Sequence, residues 1–131
     1  MKNEIKDTIM KDLTLNYNRE SNIYHMSWTG ITKLDDIKWL WGEMYDRFDL
    51  EGGKHRFLLD GSNAYFDETI SGCQKLARYF SEDADFLYKS RMAIVASTPH
   101  SIARVMYVIN NVKGIHMKVF STLNAANQWL M

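Results

Sequence analysis

The sequence predicts an α/β domain in which a single mixed sheet of five strands is covered by four helices. Short apolar runs typical of strands alternate with segments whose apolar residues recur every three or four positions, the period of an amphipathic helix. Thr98 as cap with Pro99 at the first helical position is a strong helix start signal, and Ser121 or Thr122 can cap the last helix. The predicted order is β-β-α-β-α-β-α-β-α. Strands joined through helices pair in parallel, and the opening hairpin adds an antiparallel edge.

Composition and charge place the chain among ordinary globular proteins. Its 131 residues suit one domain, and 46% hydrophobic and 24% charged residues are close to average usage. We predict a polar leading segment over residues 1–11 and a single domain over residues 12–131. The sixteen basic and sixteen acidic residues cancel. This balance argues against nucleic acid or an anionic membrane surface as the main partner.

Cysteine and histidine usage gives no sign of a metal site. Cys73 is the only cysteine, so neither an internal disulfide nor a cysteine-based zinc site can form. The four histidines, His25, His55, His100 and His116, include no close pair at helical ligand spacing. The amino-terminal residues lack the apolar stretch of a secretory signal, and no run approaches the roughly 18 apolar residues of a membrane span. We expect a cytoplasmic protein without stable membrane insertion and without a cofactor.

The first half of the chain predicts a hairpin followed by a long helix. Alternating apolar residues mark strands over Leu13–Tyr17 and Tyr24–Trp28. Thr32, with Asp35 in the first turn, is the predicted start of the helix, and Gly52-Gly53 is its predicted end. The predicted buried face of this helix consists of Leu34, Ile37, Trp41, Met44 and Phe48.

The second half predicts three more strands and three more helices. A buried strand over His55–Asp60 should end at Gly61–Asn63, and Asp67 should cap the helix that follows. The next strand covers Met92–Ala96, and the helix after it should end at Gly114. The predicted buried faces of these helices are Ile70, Cys73, Leu76, Ala77 and Phe80, then Ile102, Val105, Met106 and Ile109, and finally Leu123, Ala126, Trp129 and Leu130.

Polar side chains are predicted to gather at the carboxyl ends of the parallel strands, where ligands bind in open sheets. These residues are Asp60, Ser62, Thr98, His100 and Ser121. A Ser/His/Asp trio can be drawn from them, but the Gly-x-Ser-x-Gly elbow is absent and nothing identifies an oxyanion hole. Helix caps use the same residue types. A pocket for a small anion or polar ligand is therefore favoured over a hydrolase.

The last third carries the most specific pattern. The apolar strand Ala93–Ala96 is followed by an Ile-Ala-Arg element at Ile102–Arg104, and the chain closes on Val119-Phe120, Ala126 and Trp129-Leu130. In these features residues 12–131 resemble the STAS group, named for sulfate transporters and anti-sigma-factor antagonists. The chain is most similar to small stand-alone bacterial members described as STAS/SEC14-like. The resemblance implies a STAS-like sheet and a non-enzymatic, regulatory protein.

The resemblance also implies a phosphorylation site. Anti-sigma antagonists place Asp-x-Ser at the end of the central strand, as in Asp60–Ser62, followed by a Phe-x-Asp-Ser-Ser-Gly segment whose last serine a partner kinase phosphorylates. Phe66 falls at the family spacing, and Ser71 precedes Gly72, shifted by one residue and without the paired serines. Ser71 and Thr69 are therefore the candidate sites. Ser71 is predicted to lie a turn inside its helix, where a phosphate gains little from the helix N-terminus.

Three classes of function follow from these observations. The first is a protein that binds another protein, such as a kinase-type regulator. The second is a lipid or small apolar-ligand binder, suggested by the SEC14-like side of the resemblance and by Trp39 and Trp41 on the first helix. The third is a small hydrolase using Ser62 or Ser121 with His100. A homodimer through the first helix or the hairpin edge is a further expectation. The predicted partner or ligand surface consists of Asp60, Ser62, Thr98, His100 and Arg104.

Overall fold

The computed structural model of the protein describes residues 13–50, 54–82, 87 and 89–131. These residues form five strands and four helices in the predicted order. The strands are β1 (Thr14–Asn18), β2 (Ile23–Thr32), β3 (Arg56–Phe66), β4 (Arg91–Ala96) and β5 (His116–Phe120). The helices are α1 (Leu34–Arg47), α2 (Ile70–Glu82), α3 (Pro99–Asn111) and α4 (Leu123–Leu130). The predicted leading segment 1–11 and the Gly52-Gly53 stop lie outside the described residues.

The strands form one mixed sheet in the order β1-β2-β3-β4-β5. β1 runs antiparallel to β2, and every other neighbouring pair is parallel. Each strand thus pairs with the strand that precedes it in the chain. The α/β class, the mixed five-stranded sheet and the antiparallel edge are confirmed.

The helices are divided unequally between the two faces of the sheet. Side chains of α1, α2 and α3 share one large apolar core with alternate strand residues, among them Met26, Phe57 and Met92. The intervening strand residues face the other way, where Leu58 packs in a smaller core with Leu130 of α4. Three helices therefore cover one face of the sheet, and α4 covers part of the other.

β3 is longer than predicted because Gly61–Asn63 does not end it. Ser27 of β2 pairs with Asp60, but Thr29 pairs with Asn63, so β3 has one more residue than β2 at this point. This β-bulge shifts the alternation of side chains by one residue. Leu59 before the bulge and Ala64 after it consequently contribute to the same core, and β3 continues as a strand to Phe66.

Among the described residues, the far end of β3 has no neighbouring strand on its β4 side, because β4 ends opposite Gly61. Two serines from the start of α3 supply the missing hydrogen bonds. The Ser97 hydroxyl donates to the Ser62 carbonyl at 2.7 Å, and the buried Ser101 hydroxyl accepts from the Phe66 N–H at 3.0 Å. These bonds fix the end of β3 against α3.

Two of the predicted helix starts are confirmed. Thr98 caps α3 through a hydrogen bond from the Ser101 N–H to its hydroxyl, with Pro99 at the first helical position. Thr122 caps α4 in the same way, accepting from the Ala125 N–H at 3.2 Å. In both helices the cap occupies one of the N–H groups that have no partner within the helix.

The start of α1 differs from the prediction. Thr32 is the last residue of β2, is almost fully buried, and donates its hydroxyl to the Tyr65 carbonyl at 3.3 Å. Lys33 is the cap residue, and its N–H donates to the Asp36 carboxylate at 2.9 Å. Thr32, which the local sequence predicts to be the cap, is thus buried in the sheet and does not cap α1. The helix ends at Arg47, earlier than the predicted stop.

Most of the predicted buried helix positions are confirmed, but Ile70 of α2 and Leu123 of α4 are each 40% exposed, and the buried face of α3 is rotated. Val108 is buried there, whereas Met106 is 48% exposed and does not belong to the core. Leu40 joins Trp41 and Met44 as a buried residue of α1, and Trp39 packs against the large core while partly exposed. Both tryptophans of α1 therefore pack against the core of the protein.

Candidate functional site

Both candidate phosphorylation sites lie at the start of α2. Thr69 caps the helix, since its hydroxyl accepts from the Gly72 N–H at 3.0 Å. The prediction that Asp67 caps α2 is therefore wrong. Ser71 is the second helical residue and is exposed, so it lies within the first turn and not a turn further in. A group at Ser71 lies within reach of the positive end of the helix dipole.

Glu68 joins the N-termini of α1 and α2. One carboxylate oxygen accepts from the Leu34 N–H at 2.7 Å, and the other accepts from the Thr69 N–H at 2.8 Å and from the Thr69 hydroxyl at 3.3 Å. Burial opposes ionisation of this carboxyl, but these hydrogen bonds and the charge of Lys33 outweigh it and lower the pKa of Glu68. The carboxylate is ionised at neutral pH and fills the hydrogen-bonding needs of two helix starts.

Gly72 is required by the position of Glu68. A Cβ atom at Gly72 would overlap the Glu68 carboxyl group, because that side chain folds back over the first turn of α2. The Ser71-Gly72 pair that the sequence marked as a possible switch segment therefore also has a packing role.

His100, in the first turn of α3, is held between two side chains. Its ring stacks on Tyr65 with centroids 5.2 Å apart and planes 14° from parallel. Its Nε2 lies 3.6 Å from the Asp67 carboxylate, which also lies 4.0 Å from Lys33 Nζ. The start of α3 thus meets the β3–α2 junction in a cluster of mixed charge, here called the His100 cluster, which comprises Lys33, Tyr65, Asp67 and His100.

Arg104 lies one turn after His100 on the same side of α3. Its Nε atom is buried and has no hydrogen-bond partner among the residues that the structure describes. Cys73 of α2 is fully buried, and burial raises the pKa of its thiol, an effect that the charge of Arg104 opposes and that of Glu68 reinforces. Arg104 therefore acts electrostatically on the start of α2, and Cys73 is an un-ionised core thiol.

The remaining predicted site residues, Asp60 and Ser62, lie within β3 and not at its end. The Asp60 carboxylate accepts from the Ser62 N–H at 3.0 Å, across the bulge. Ser62 is linked in turn to Ser97 beside the Thr98 cap. Asp60, Ser62 and Thr98 are thus brought near one another, while His100 takes Asp67 as its partner.

The arrangement does not assemble a hydrolytic trio from the described residues. No hydrogen bond in this part of the chain joins His100 to Ser62, Ser121 or Asp60. A general base must lie within hydrogen-bonding reach of the nucleophile that it activates. Within the same residues no three histidine, cysteine or acidic side chains group closely enough to hold a metal ion, and no helix has both the length and the apolar character needed to cross a bilayer.

An apolar cavity of about 60 Å³ lies between the sheet and the three helices of the large core. Its walls include Trp28, Thr32, Phe66, Ser101 and Val105. Thr32, Ser101 and Trp28 are the wall residues whose side chains carry a hydroxyl or an N–H group. The Trp28 N–H is buried and has no hydrogen-bond partner among the described residues.

Several residues of the site were not found from the sequence. Tyr65, Asp67 and Glu68 act through contacts with His100 and Leu34, which lie more than thirty positions away in the chain. A short polar segment after a strand is typical of a helix cap, so the sequence predicts only local capping for these residues. Their contacts with His100 and Leu34 cannot be predicted from local sequence. The one local indication of these contacts is the acidic pair Asp67-Glu68, whose carboxylates need hydrogen-bond donors or positive charges nearby.

Comparison with known proteins defines the fold. No family model and no curated protein matches the chain. Among solved structures, the chain is similar to an uncharacterised protein from the DUF3478 family with a SpoIIAA-like fold, from Shewanella loihica PV-4. The match covers 91% of this chain and 92% of that chain, with a TM-score of 0.59 and 11% sequence identity. At that identity the likeness is one of fold alone. The chain has the SpoIIAA-like, or STAS-like, fold that the pattern of its last third implied.

Proposed function

We propose that the protein is a non-enzymatic, STAS-like module that acts by binding another protein. The proposed contact surface joins the β3–α2 junction to the start of α3, and it comprises Asp60, Ser62, Tyr65, Thr69, Ser71, Thr98, His100 and Arg104. The SpoIIAA-like fold supports this proposal.

The observation that carries the proposal is the His100 cluster. Its side chains lie at the β3–α2 junction and at the starts of α1 and α3, and Tyr65 is 36% exposed beside Ile31, its neighbour across the sheet, which is 64% exposed. Exposed apolar and aromatic side chains next to a rim of charge are typical of protein contact sites. The backbone beneath them is fixed by Ser97 and Ser101, so little conformational entropy is lost when a partner binds.

Of the two candidate phosphorylation sites, Ser71 is the better suited to modification. Thr69 uses its hydroxyl to cap α2 and to contact Glu68, so a phosphate there would remove the cap and meet a carboxylate. Ser71 is exposed in the first turn, where the helix N-terminus favours added negative charge. A kinase-type regulator that modifies Ser71 is therefore part of the proposal.

Site-specific photo-crosslinking tests the contact surface. A photoreactive phenylalanine analogue replaces Tyr65 on the central strand β3 in one variant and the exposed Lys118 on the edge strand β5 in a matched control. In cells of the source organism, the variant at position 65 should give one discrete protein adduct that the control lacks. Adducts of the same mass and yield from both positions would contradict the assigned surface.

A second candidate function is the binding of a small apolar ligand, and the cavity favours it. Its volume of about 60 Å³ exceeds the space that a single water needs but is far below that of a drug-sized pocket. In the described conformation it therefore suits a small apolar group and not a lipid chain.

Xenon tests the cavity because it is apolar and small. Xenon should shift the methyl resonances of Val105 and Val108, which line the cavity, and Val105→Ile should weaken these shifts by adding a methyl group to the wall. Val119→Ile, the same change on β5 away from the cavity walls, is the matched control. Equal xenon shifts in both variants, or none in the wild type, would rule out this function.

A further inference from the structure

One end of the cavity is bounded by the junctions that lead into the helices. Thr32, Phe66 and Ser101 all line the cavity there. The Thr32 carbonyl accepts from the Asp67 N–H at 3.0 Å, and its hydroxyl donates to the Tyr65 carbonyl. The Phe66 N–H donates to Ser101. At this end, the two junctions and the start of α3 are therefore joined by hydrogen bonds.

The boundary between α1 and α2 is the less closely packed side of the cavity. Ile37 of α1 and Leu76 of α2 both line the cavity, and α2 packs closely along α3 but more sparsely along α1. Contacts across this boundary include the Lys38 ammonium, which lies 5.3 Å from the centre of the Tyr79 ring. Separating α1 from α2 would therefore break fewer contacts than separating α2 from α3.

Glu68 joins the two helices at the cavity end of this boundary. Its carboxylate accepts from the N–H of Leu34, the first residue of α1, and from the N–H of Thr69, the cap of α2. Both bonds end on one ionised group, so α1 cannot move away from α2 without breaking a charge-assisted hydrogen bond. Gly72 provides the space that lets Glu68 adopt this position.

We propose that Glu68 is a latch between α1 and α2, and that it sets the rate at which small apolar molecules enter and leave the cavity. This inference rests on the ligand-binding function proposed above. When the bond to Leu34 breaks, the first turn of α1 is free to move away from α2, while the Thr32–Asp67 and Phe66–Ser101 bonds keep the sheet and α3 in place. The closed state then reforms without repacking of the core.

The latch is tested by measuring xenon exchange in the wild type, in Glu68→Ala and in Gly72→Ala. Glu68→Ala removes the carboxylate, and Gly72→Ala displaces it while keeping its charge. Both variants should raise the xenon exit rate, read by saturation-transfer NMR, by about tenfold, the factor for losing one hydrogen bond to a charged group. Hydrogen exchange at the Leu34 amide should accelerate in parallel.

Asp36→Ala is the matched control. It removes the acceptor of the Lys33 N–H within the start of α1 but leaves the bond between the two helices, so xenon exchange should stay at the wild-type rate. Xenon binding with equal exchange rates in all four proteins would overturn the latch and leave the ligand-binding function standing. Absence of xenon binding in the wild type would overturn both.

Discussion

Gly61 lies at the bulge of β3, where a side chain has no room. A Cβ atom there would lie 3.1 Å from the Val95 carbonyl oxygen and 3.3 Å from the Trp28 ring. Neither group can move freely, because one belongs to the backbone of β4 and the other to a buried side chain. Gly61→Ala should therefore destabilise the protein by about 1–3 kcal/mol, as overpacking commonly does, measured by urea unfolding.

Gly42 provides the comparison for this prediction. It lies inside α1, and a Cβ atom there would meet nothing within 4 Å. Gly42→Ala should stabilise the protein by about 0.5–1 kcal/mol, because alanine has the higher helix propensity. If both glycine variants shift stability in the same direction, the assigned packing around Gly61 is wrong.

Glu68 gives stability a defined dependence on pH. Its folded-state pKa is lowered, so the ionised form stabilises the fold above the unfolded value of about 4.3, and this stabilisation is lost as the pH falls through the folded-state pKa. Glu68→Gln has no proton to gain. The wild type should be more stable by about 1 kcal/mol at pH 7, and the difference should shrink towards pH 3 in urea unfolding series.

Asp36 is a control that distinguishes the pH dependence due to Glu68 from a dependence that any carboxylate would give. Burial raises its pKa, with Asp35 and Glu68 adding to the effect and the bond from the Lys33 N–H opposing it. The sign is therefore opposite, and any stability advantage of Asp36→Asn over the wild type should decrease as the pH falls. Parallel pH profiles for the wild type and Glu68→Gln would contradict the assigned role of Glu68.

At the scale of elements, the end of β3 depends on side chains and not on a neighbouring strand. Ser101→Ala would leave the buried Phe66 N–H without an acceptor and should cost about 1–3 kcal/mol. Ser97→Ala removes a bond at an exposed position, where water replaces the hydroxyl, and should cost less than about 0.5 kcal/mol. Equal losses in thermal unfolding would mean that Ser101 does not act through Phe66.

The elements also show which features sequence reasoning can reach. The caps at Thr98 and Thr122 were predicted because a cap bond spans three residues and depends on little else. The length of β3 was not predicted, because a glycine that ends a strand and a glycine at a β-bulge look alike in sequence. The pairing of Thr29 with Asn63 shows that this glycine lies at a bulge. Asp67 was wrongly assigned as a cap because the helix begins at Ile70, and Thr69, also a residue that commonly caps helices, supplies the cap.

The site also contains residues that local sequence predicts and residues that only long-range contacts bring together. Placing Thr98 and His100 together at the start of α3 followed from local signals. Placing Tyr65 against His100, or Glu68 against Leu34, requires knowing that β2 and β3 are neighbours and that both extend past the end of β4. The cavity depends on side chains from four strands and three helices, so no segment of the sequence contains its signature.

At the scale of the whole molecule, the charge balance sets the solubility. Sixteen basic and sixteen acidic residues give an isoelectric point near 6.9. Proteins without net charge associate more readily, because long-range repulsion is absent. Solubility in a precipitant series should therefore be lowest near pH 7 and rise on either side. A minimum more than about one pH unit away would show that exposed groups titrate far from their usual range.

The strand order has a consequence for synthesis on the ribosome. Each strand pairs with the one made just before it, so the sheet can grow vectorially as the chain emerges, without waiting for a distant segment. The face that carries Leu58, Ala93 and Val95 is the exception, because α4, which contributes Ala126 and Leu130, is made last. A nascent chain halted after β5 would therefore expose this apolar face of the sheet, and we expect a chaperone to bind there.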